Sequence, residues 1–428
     1  MKLKTEIKPL TIVDKYWHDL RRLSSDARRL LLAGAFFGLC ASGFSVIYNL
    51  YLLQLGMGGT IIGEVSAASV LGLAVAGIPS GYLIERFKPQ PLAICSIIFY
   101  VITMSLRATL STELLLLVTA FLNGITSTLV WVSITVLLAG AASTRDRSLV
   151  FSLNGLIAGL IGIPGNLLAG ALPPLYQRTL AVSLLWGERM TLLSMMVFAL
   201  PAVLFLLRLD SSSRSIPNSR GALPASPPSR ELRPVFIAIA IVATLFGLAE
   251  GLFFPFGNIF FQERYHYDTD RIGFVFAVNQ LLVVLLFIAL PVLTRYWKKS
   301  TIMSASRLVL LPFMAVLMLD LPEWLVGSSY VVAHTTFGTS MTLEDNIFVE
   351  VVPESQRGQA LGIRAVFLSL GAAVANAAGG WLIENTGFFL PVLGSTILSA
   401  VLAVAVFYFF AHREPVPSAL ALMAEEAA

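Results

Sequence analysis

Long apolar runs separated by short polar breaks recur along almost the whole of the 428-residue chain. The runs are continuous, as in "LLLAGAFFGLCASGFSVIYNLYLLQLG". A helix needs about 20 apolar residues to cross a ~30 Å hydrocarbon core. A barrel strand would show roughly ten residues of alternating character instead. The pattern therefore predicts twelve spanning helices, at about 30–54, 60–84, 91–109, 113–140, 148–173, 190–208, 234–262, 271–294, 300–319, 324–351, 357–384 and 388–411. The stretch 174–189 is predicted as an external loop with a short interfacial helix, because "LAVSLLWGER" is too short to span.

Composition agrees with this reading. Hydrophobic residues make up 57% of the chain and charged residues 13%, whereas soluble domains are about 25% charged. The class is an all-α integral membrane protein. The net charge of +4 belongs to loops and tails, which reads as topology and excludes a nucleic-acid surface. Cys40 and Cys95 lie inside apolar runs and are read as packing residues, with no disulfide framework and no metal site. The basic N-terminus lacks the apolar core of a cleavable signal peptide.

Between spans six and seven, "DSSSRSIPNSRGALPASPPSRELR" is too rich in Ser, Pro and Arg to pack a core. The expected organisation is a basic tail at 1–29, a six-helix bundle at 30–208, a flexible linker at 209–233, a second bundle at 234–411 and a tail at 412–428. Most of the 29 Lys and Arg residues fall on one side of this arrangement, in the tails, the linker and the even-numbered turns. That bias predicts cytoplasmic termini.

The two halves repeat. "FGLCASGFSVIYNLYL" aligns with "FGLAEGLFFPFGNIFF". Phe37 matches Phe246 and Asn49 matches Asn258, each 209 residues on by subtraction. Gly63 matches Gly273, Asn166 matches Asn376 and Gly170 matches Gly380, each 210 on. Six spans per half that start on the same side make a parallel repeat about an axis along the membrane normal.

"GYLIERFKPQ", Gly81 to Gln90, resembles the signature between helices two and three of the major facilitator superfamily, Gly-x-x-x-Asp-Arg-x-Gly-Arg-Arg/Lys. Gly81, Glu85 and Arg86 fill its first three defined positions, with Glu for Asp; Lys88 stands where Gly is usual. With the twelve spans, the repeat, the linker and "QRGQALGIR" before span eleven, the resemblance covers essentially the whole chain. It implies two pseudo-symmetric six-helix bundles around a central site lined by helices one, four, seven and ten. Gly81, Glu85, Arg86 and, in the second half, Arg295 are then expected to form a gating loop. Glu85 would face a helix N-terminus of the opposite half, where the dipole favours an anion.

Ionisable groups at membrane depth cost roughly 2.5–3.5 kcal/mol each, so each needs a partner or a purpose. Arg307, Glu344, Asp345 and Arg364 are placed about 10–14 Å inside their helix ends by the ~1.5 Å rise per residue. Two acids and two bases form either a structural cluster holding spans nine to eleven or a substrate and proton site. Glu250 has no basic neighbour in sequence and is replaced by Ala41 in the first half. It is the first candidate for proton coupling or cation binding; the alternative is a neutral acid hydrogen-bonded to a backbone carbonyl. Asn49 and Asn258 are candidates for a polar substrate or for interhelical packing, and His334 for titration or for a buried structural role. Glu350 is expected to pair with Arg295, and Pro164 and Pro255 to mark kinks.

The function expected is secondary active transport of a small molecule by alternating access, with protons as the coupling ion. The direction is left open; "GIPGNLLAG" in span five and "NAAGGWL" in span eleven resemble the Gly-Pro-rich helix-five motif of antiporters, and that resemblance leans slightly towards export. No phosphate-binding GxxxxGK[ST] loop is present, nor HExxH, GxSxG or a Cys/His cluster, so neither ATP nor enzyme chemistry is expected, and no cofactor. A monomer in the plasma (inner) membrane is expected. The alternative is a non-transporting membrane sensor or assembly factor on the same scaffold.

Overall fold

A computed structural model describes residues 23–142, 147–209 and 232–414. Most of both tails, most of the linker and Arg145 lie outside the described residues. Among those described, every regular element is helical. The elements are α1 (Ser25–Gln54), α2 (Gly59–Phe87), α3 (Pro89–Thr109), α4 (Glu113–Ala141), α5 (Arg147–Leu180), α6a (Leu184–Val197), α6b (Leu200–Leu207), α7a (Arg233–Gly251), α7b (Gly257–Tyr265), α8 (Thr269–Tyr296), α9 (Lys299–Leu317), α10 (Glu323–Glu350), α11 (Arg357–Thr386) and α12 (Phe389–Phe410). These are the twelve expected spans, with spans six and seven each in two segments.

Local chemistry explains the ends and breaks. The Ser24 hydroxyl accepts from Ala27 N at 3.1 Å and starts α1. Pro255 lies in a 3₁₀ turn, Phe254–Phe256, that separates α7a from α7b, as expected where a ring removes a backbone donor. Pro164, by contrast, sits inside an unbroken α5. At the start of α9 no side chain of its own caps the helix. Glu414, beyond α12, accepts from Lys299 N at 2.6 Å and from Ser300 N at 2.9 Å instead.

The stretch 174–189 is not the expected loop. α5 continues to Leu180 through Pro173 and Pro174, and α6a begins at Leu184. The reversal is made at Ala181, whose φ is 54°. The apolar residues there extend two spanning helices, so a segment too short to span alone is not thereby interfacial.

Eleven of the described helices are long and apolar enough to cross a membrane, by length and composition. α10 is as long but more polar, carrying His334, Glu344 and Asp345 among several Ser and Thr residues. Phe99, Ile237 and Val404 are among many large apolar side chains left exposed, the surface that acyl chains cover in a bilayer-spanning protein. Cys40 is buried; Cys95 is exposed rather than packed.

Within the first bundle α1 packs on α5 and α6a, and α2 and α3 pack on α4. Within the second α7a packs on α11 and α12, and α9 on α10 and α12. The bundles meet chiefly through α2 on α11 and α5 on α8. Below, the face carrying Ser25, the α2–α3 turn and the end of α12 is called the tail face, and the opposite one the far face.

Candidate translocation site between the bundles

The bundles touch at the far face in pairs that obey the repeat. Gly63 on α2 lies so close to α11 that an added Cβ would stand 3.0 Å from Gly380 Cα. At the matched crossing, a Cβ on Gly273 would stand 2.8 Å from Gly170 Cα. Only glycine permits such an approach of two helix backbones. Each residue thus meets the counterpart of its counterpart's partner, the signature of a two-fold axis between the halves.

Asn49 and Asn258 lie where α1 meets α7. Asn49 Nδ2 donates to the Pro255 carbonyl at 2.7 Å and to Asn258 Oδ1 at 3.3 Å. Asn258 Nδ2 donates back to the Val46 carbonyl at 2.8 Å. Val46 and Pro255 are themselves 209 apart by subtraction. The two amides form a reciprocal clasp across the bundles, so in this conformation they bind each other's helices.

The tail face is parted. A Cβ added at Gly77, Gly81, Gly155, Gly358 or Gly362 would meet no atom within 4 Å. A cavity of about 530 Å³ lies between α5, α8 and α10, bordered by Ser152, Phe287, Thr342 and Asn346 among others. Of the gating loop, Gly81 therefore has no close neighbour among the described residues of the other bundle. Arg86 is exposed and donates within its own helix, to Tyr82 OH at 3.1 Å. The Glu85 side chain lies outside what is described, and Arg295 is exposed. Glu350 pairs with Lys299, not with Arg295: Lys299 opens α9, which packs on α10 more extensively than α8 does, whereas Arg295 lies in the last turn of α8 and is exposed.

Inside the second bundle the predicted charges converge. Arg364 Nε donates to Glu344 Oε2 at 2.9 Å and lies 3.0 Å from Asp345 Oδ1. Glu344 is fully buried, while the Asp345 side chain is 45% exposed. Arg307 is not part of this ion pair. Its guanidinium is fully buried between the rings of Phe337, at 3.7 Å, and Phe246, at 4.6 Å, with no hydrogen-bond partner among the described residues. Stacking on aromatic faces is the compensation open to a desolvated guanidinium. Glu250 lies within electrostatic reach of both Arg307 and Arg364. The cluster therefore links α7a, α9, α10 and α11 and holds three carboxylates against two guanidinia. His334 stands apart, stacked on Phe254 with centroids 5.0 Å apart, its Nδ1 without a partner among the described residues.

Three polar features escape a reading of the sequence. Arg107 is buried over the Tyr48 ring at 4.1 Å and donates to Asn123 at 3.2 Å. Glu188 is fully buried with neither oxygen bonded among the described residues. Glu384 accepts from the backbone of the opposite bundle at Thr60. A charge inside or beside an apolar run was the available signal for each, but residue type alone does not show the partner.

The chain matches the Major Facilitator Superfamily profile over residues 30–343 and 321–427. No curated protein sequence matches it. Solved structures share its fold. A point mutant of the nucleoside transporter NupG aligns with a TM-score of 0.73 at 16% identity, over 90% of this chain and 100% of that one. A bacterial homologue of the human lysosomal transporter Spinster, inward-facing and occupied, aligns at 0.74 and 12% identity, over 91% and 98%. The xylose transporter XylE from E. coli, inward open, aligns at 0.70 and 14% identity, over 92% and 98%. Family match, helix count and bundle symmetry together place this chain in the Major Facilitator Superfamily, as a multi-pass integral membrane transport protein and not an enzyme.

Proposed function

We propose that the protein is a secondary active transporter that carries a small molecule by alternating access, coupled to protons. The observation that carries this reading is the asymmetry of closure: two repeat-related bundles are sealed at one face and parted at the other. A symmetric scaffold with only one face closed has a second arrangement available in which the faces exchange roles. The tail face is taken as cytoplasmic from the distribution of Lys and Arg, which makes this the inward-facing arrangement in a plasma (inner) membrane. The protein is taken to act as a monomer.

The charge cluster supports proton coupling. Three carboxylates and two guanidinia leave one carboxylate without a counter-charge, a place for one proton or one substrate cation. Glu250 fits that role best, because Arg364 already bonds Glu344 and Asp345 directly. It lies just before the break between α7a and α7b. A change in its charge would alter the pull of Arg307 and Arg364 on α7a, which the Phe254–Phe256 turn joins to α7b and its Asn258 clasp.

The test is flux into proteoliposomes under an imposed pH gradient, starting with nucleosides and pentoses. Glu250→Gln is expected to abolish gradient-driven accumulation while the protein stays folded and still exchanges substrate across the membrane. Wild-type accumulation with unchanged pH dependence in that variant would remove Glu250 from the mechanism.

A further inference from the structure

We propose that Glu384 is a positioning residue that holds the far face shut, by capping α2 from the opposite bundle. The proposal rests on the alternating-access reading above and adds to it the group that sets the balance between the two states. The first N–H groups of a helix need acceptors from outside the helix. α2 supplies none: its N-cap is Gly58, with no side-chain hydrogen bond. Thr60 N donates instead to Glu384 Oε2 on α11, at 2.8 Å. The fit is close, since a Cβ at Gly58 would stand 2.6 Å from one carboxylate oxygen and 2.7 Å from the other. The two glycines that open α2 are thus the space into which the end of α11 docks.

The contact is electrostatic as well as geometric. A carboxylate at a helix N-terminus faces the positive end of the macrodipole. The repeat does not demand this contact. By subtraction of 210, Glu384 corresponds to Pro174, and by addition of 210, Thr60 corresponds to Asp270. At the matched crossing the bond between bundles is a neutral one, from Thr269 Oγ1 to the Gly170 carbonyl at 3.0 Å. Of two pseudo-equivalent crossings, one carries a charged cap and the other does not.

Opening the far face must draw α11 away from α2 and leave that helix start uncapped. Glu384 is exposed, so its replacement leaves no cavity in a core. Its removal should shift the equilibrium between faces rather than the stability of either bundle.

The test needs no substrate. Spin labels at Ser111 and Leu319, on far-face turns of the two bundles, would report the distance across that face in nanodiscs, in a Cys95→Ser background. Glu384→Ala is expected to raise the far-face-open population by roughly five- to tenfold, the scale of one lost N-cap. Glu384→Gln should shift it less, because an acceptor oxygen remains, and Glu384→Asp should restore most of the wild-type distribution. If the wild type samples both distances and all three variants match it, the latch is wrong although alternating access stands. One unchanging distance in every protein would overturn both.

Discussion

Lys88 illustrates how a single residue departs from what its backbone position favours. It ends α2 and precedes α3 with φ 64° and ψ 144°. That combination is close to a region open almost only to glycine and costs about 1–3 kcal/mol for other residues. The superfamily signature that this loop resembles has glycine at the same position, which fits the geometry. Lys88→Gly is therefore expected to stabilise the protein by about 1 kcal/mol, after part of the relief is offset by the freer unfolded chain. Thermal unfolding in detergent would show a midpoint raised by a few degrees. A lowered midpoint would mean that the lysine side chain contributes more than the backbone strain removes.

Among the elements, the buried charges decide how four helices of the second bundle are held. Arg364 on α11 bonds two acids on α10, and α10 and α11 otherwise share a small contact. Breaking a buried ion pair from one side costs about 3–5 kcal/mol, because the partner remains charged and desolvated. Arg364→Met is expected to lower stability on that scale. Adding Glu344→Gln, which removes the stranded buried charge, should recover most of the loss. Adding Asp345→Asn should recover less, since that side chain is already 45% exposed. Strictly additive losses in both double-mutant cycles would show that these groups are not energetically coupled.

At the scale of the whole molecule, the parted tail face must close for the reading of alternating access to hold. Gly155 and Gly362 have open space around them here. A larger residue at either position is free in this conformation and obstructive in one where the tail-face ends of the helices meet. Gly155→Leu with Gly362→Leu should leave thermal stability unchanged or raised, since leucine favours a helix over glycine. Labels at Phe87 and Trp297 should then report only the open tail-face distance, where the wild type also samples a shorter one. A shorter distance retained in the double variant would show that these helix ends do not approach each other.

The sequence by itself determined the class, the number of spans and the two-fold repeat. Hydropathy accumulates residue by residue, the bilayer sets the required length, and Gly63, Gly273, Asn166 and Asn376 already declare the repeat by their spacing. The helical rise also converts a residue number into a distance along the axis, which is why Arg307, Glu344, Asp345 and Arg364 were expected at one level. What the spacing could not supply was the direction in which each group faces and which other helix meets it there. Only the tertiary structure decided that Arg364 takes both acids while Arg307 lies between two rings, that Glu250 stands near both guanidinia, that Asn49 and Asn258 clasp each other, and that Glu384 caps α2. The reason is physical: position along a helix is a local property of the chain, whereas these pairings arise between separate helices as they pack into two bundles that close at one face.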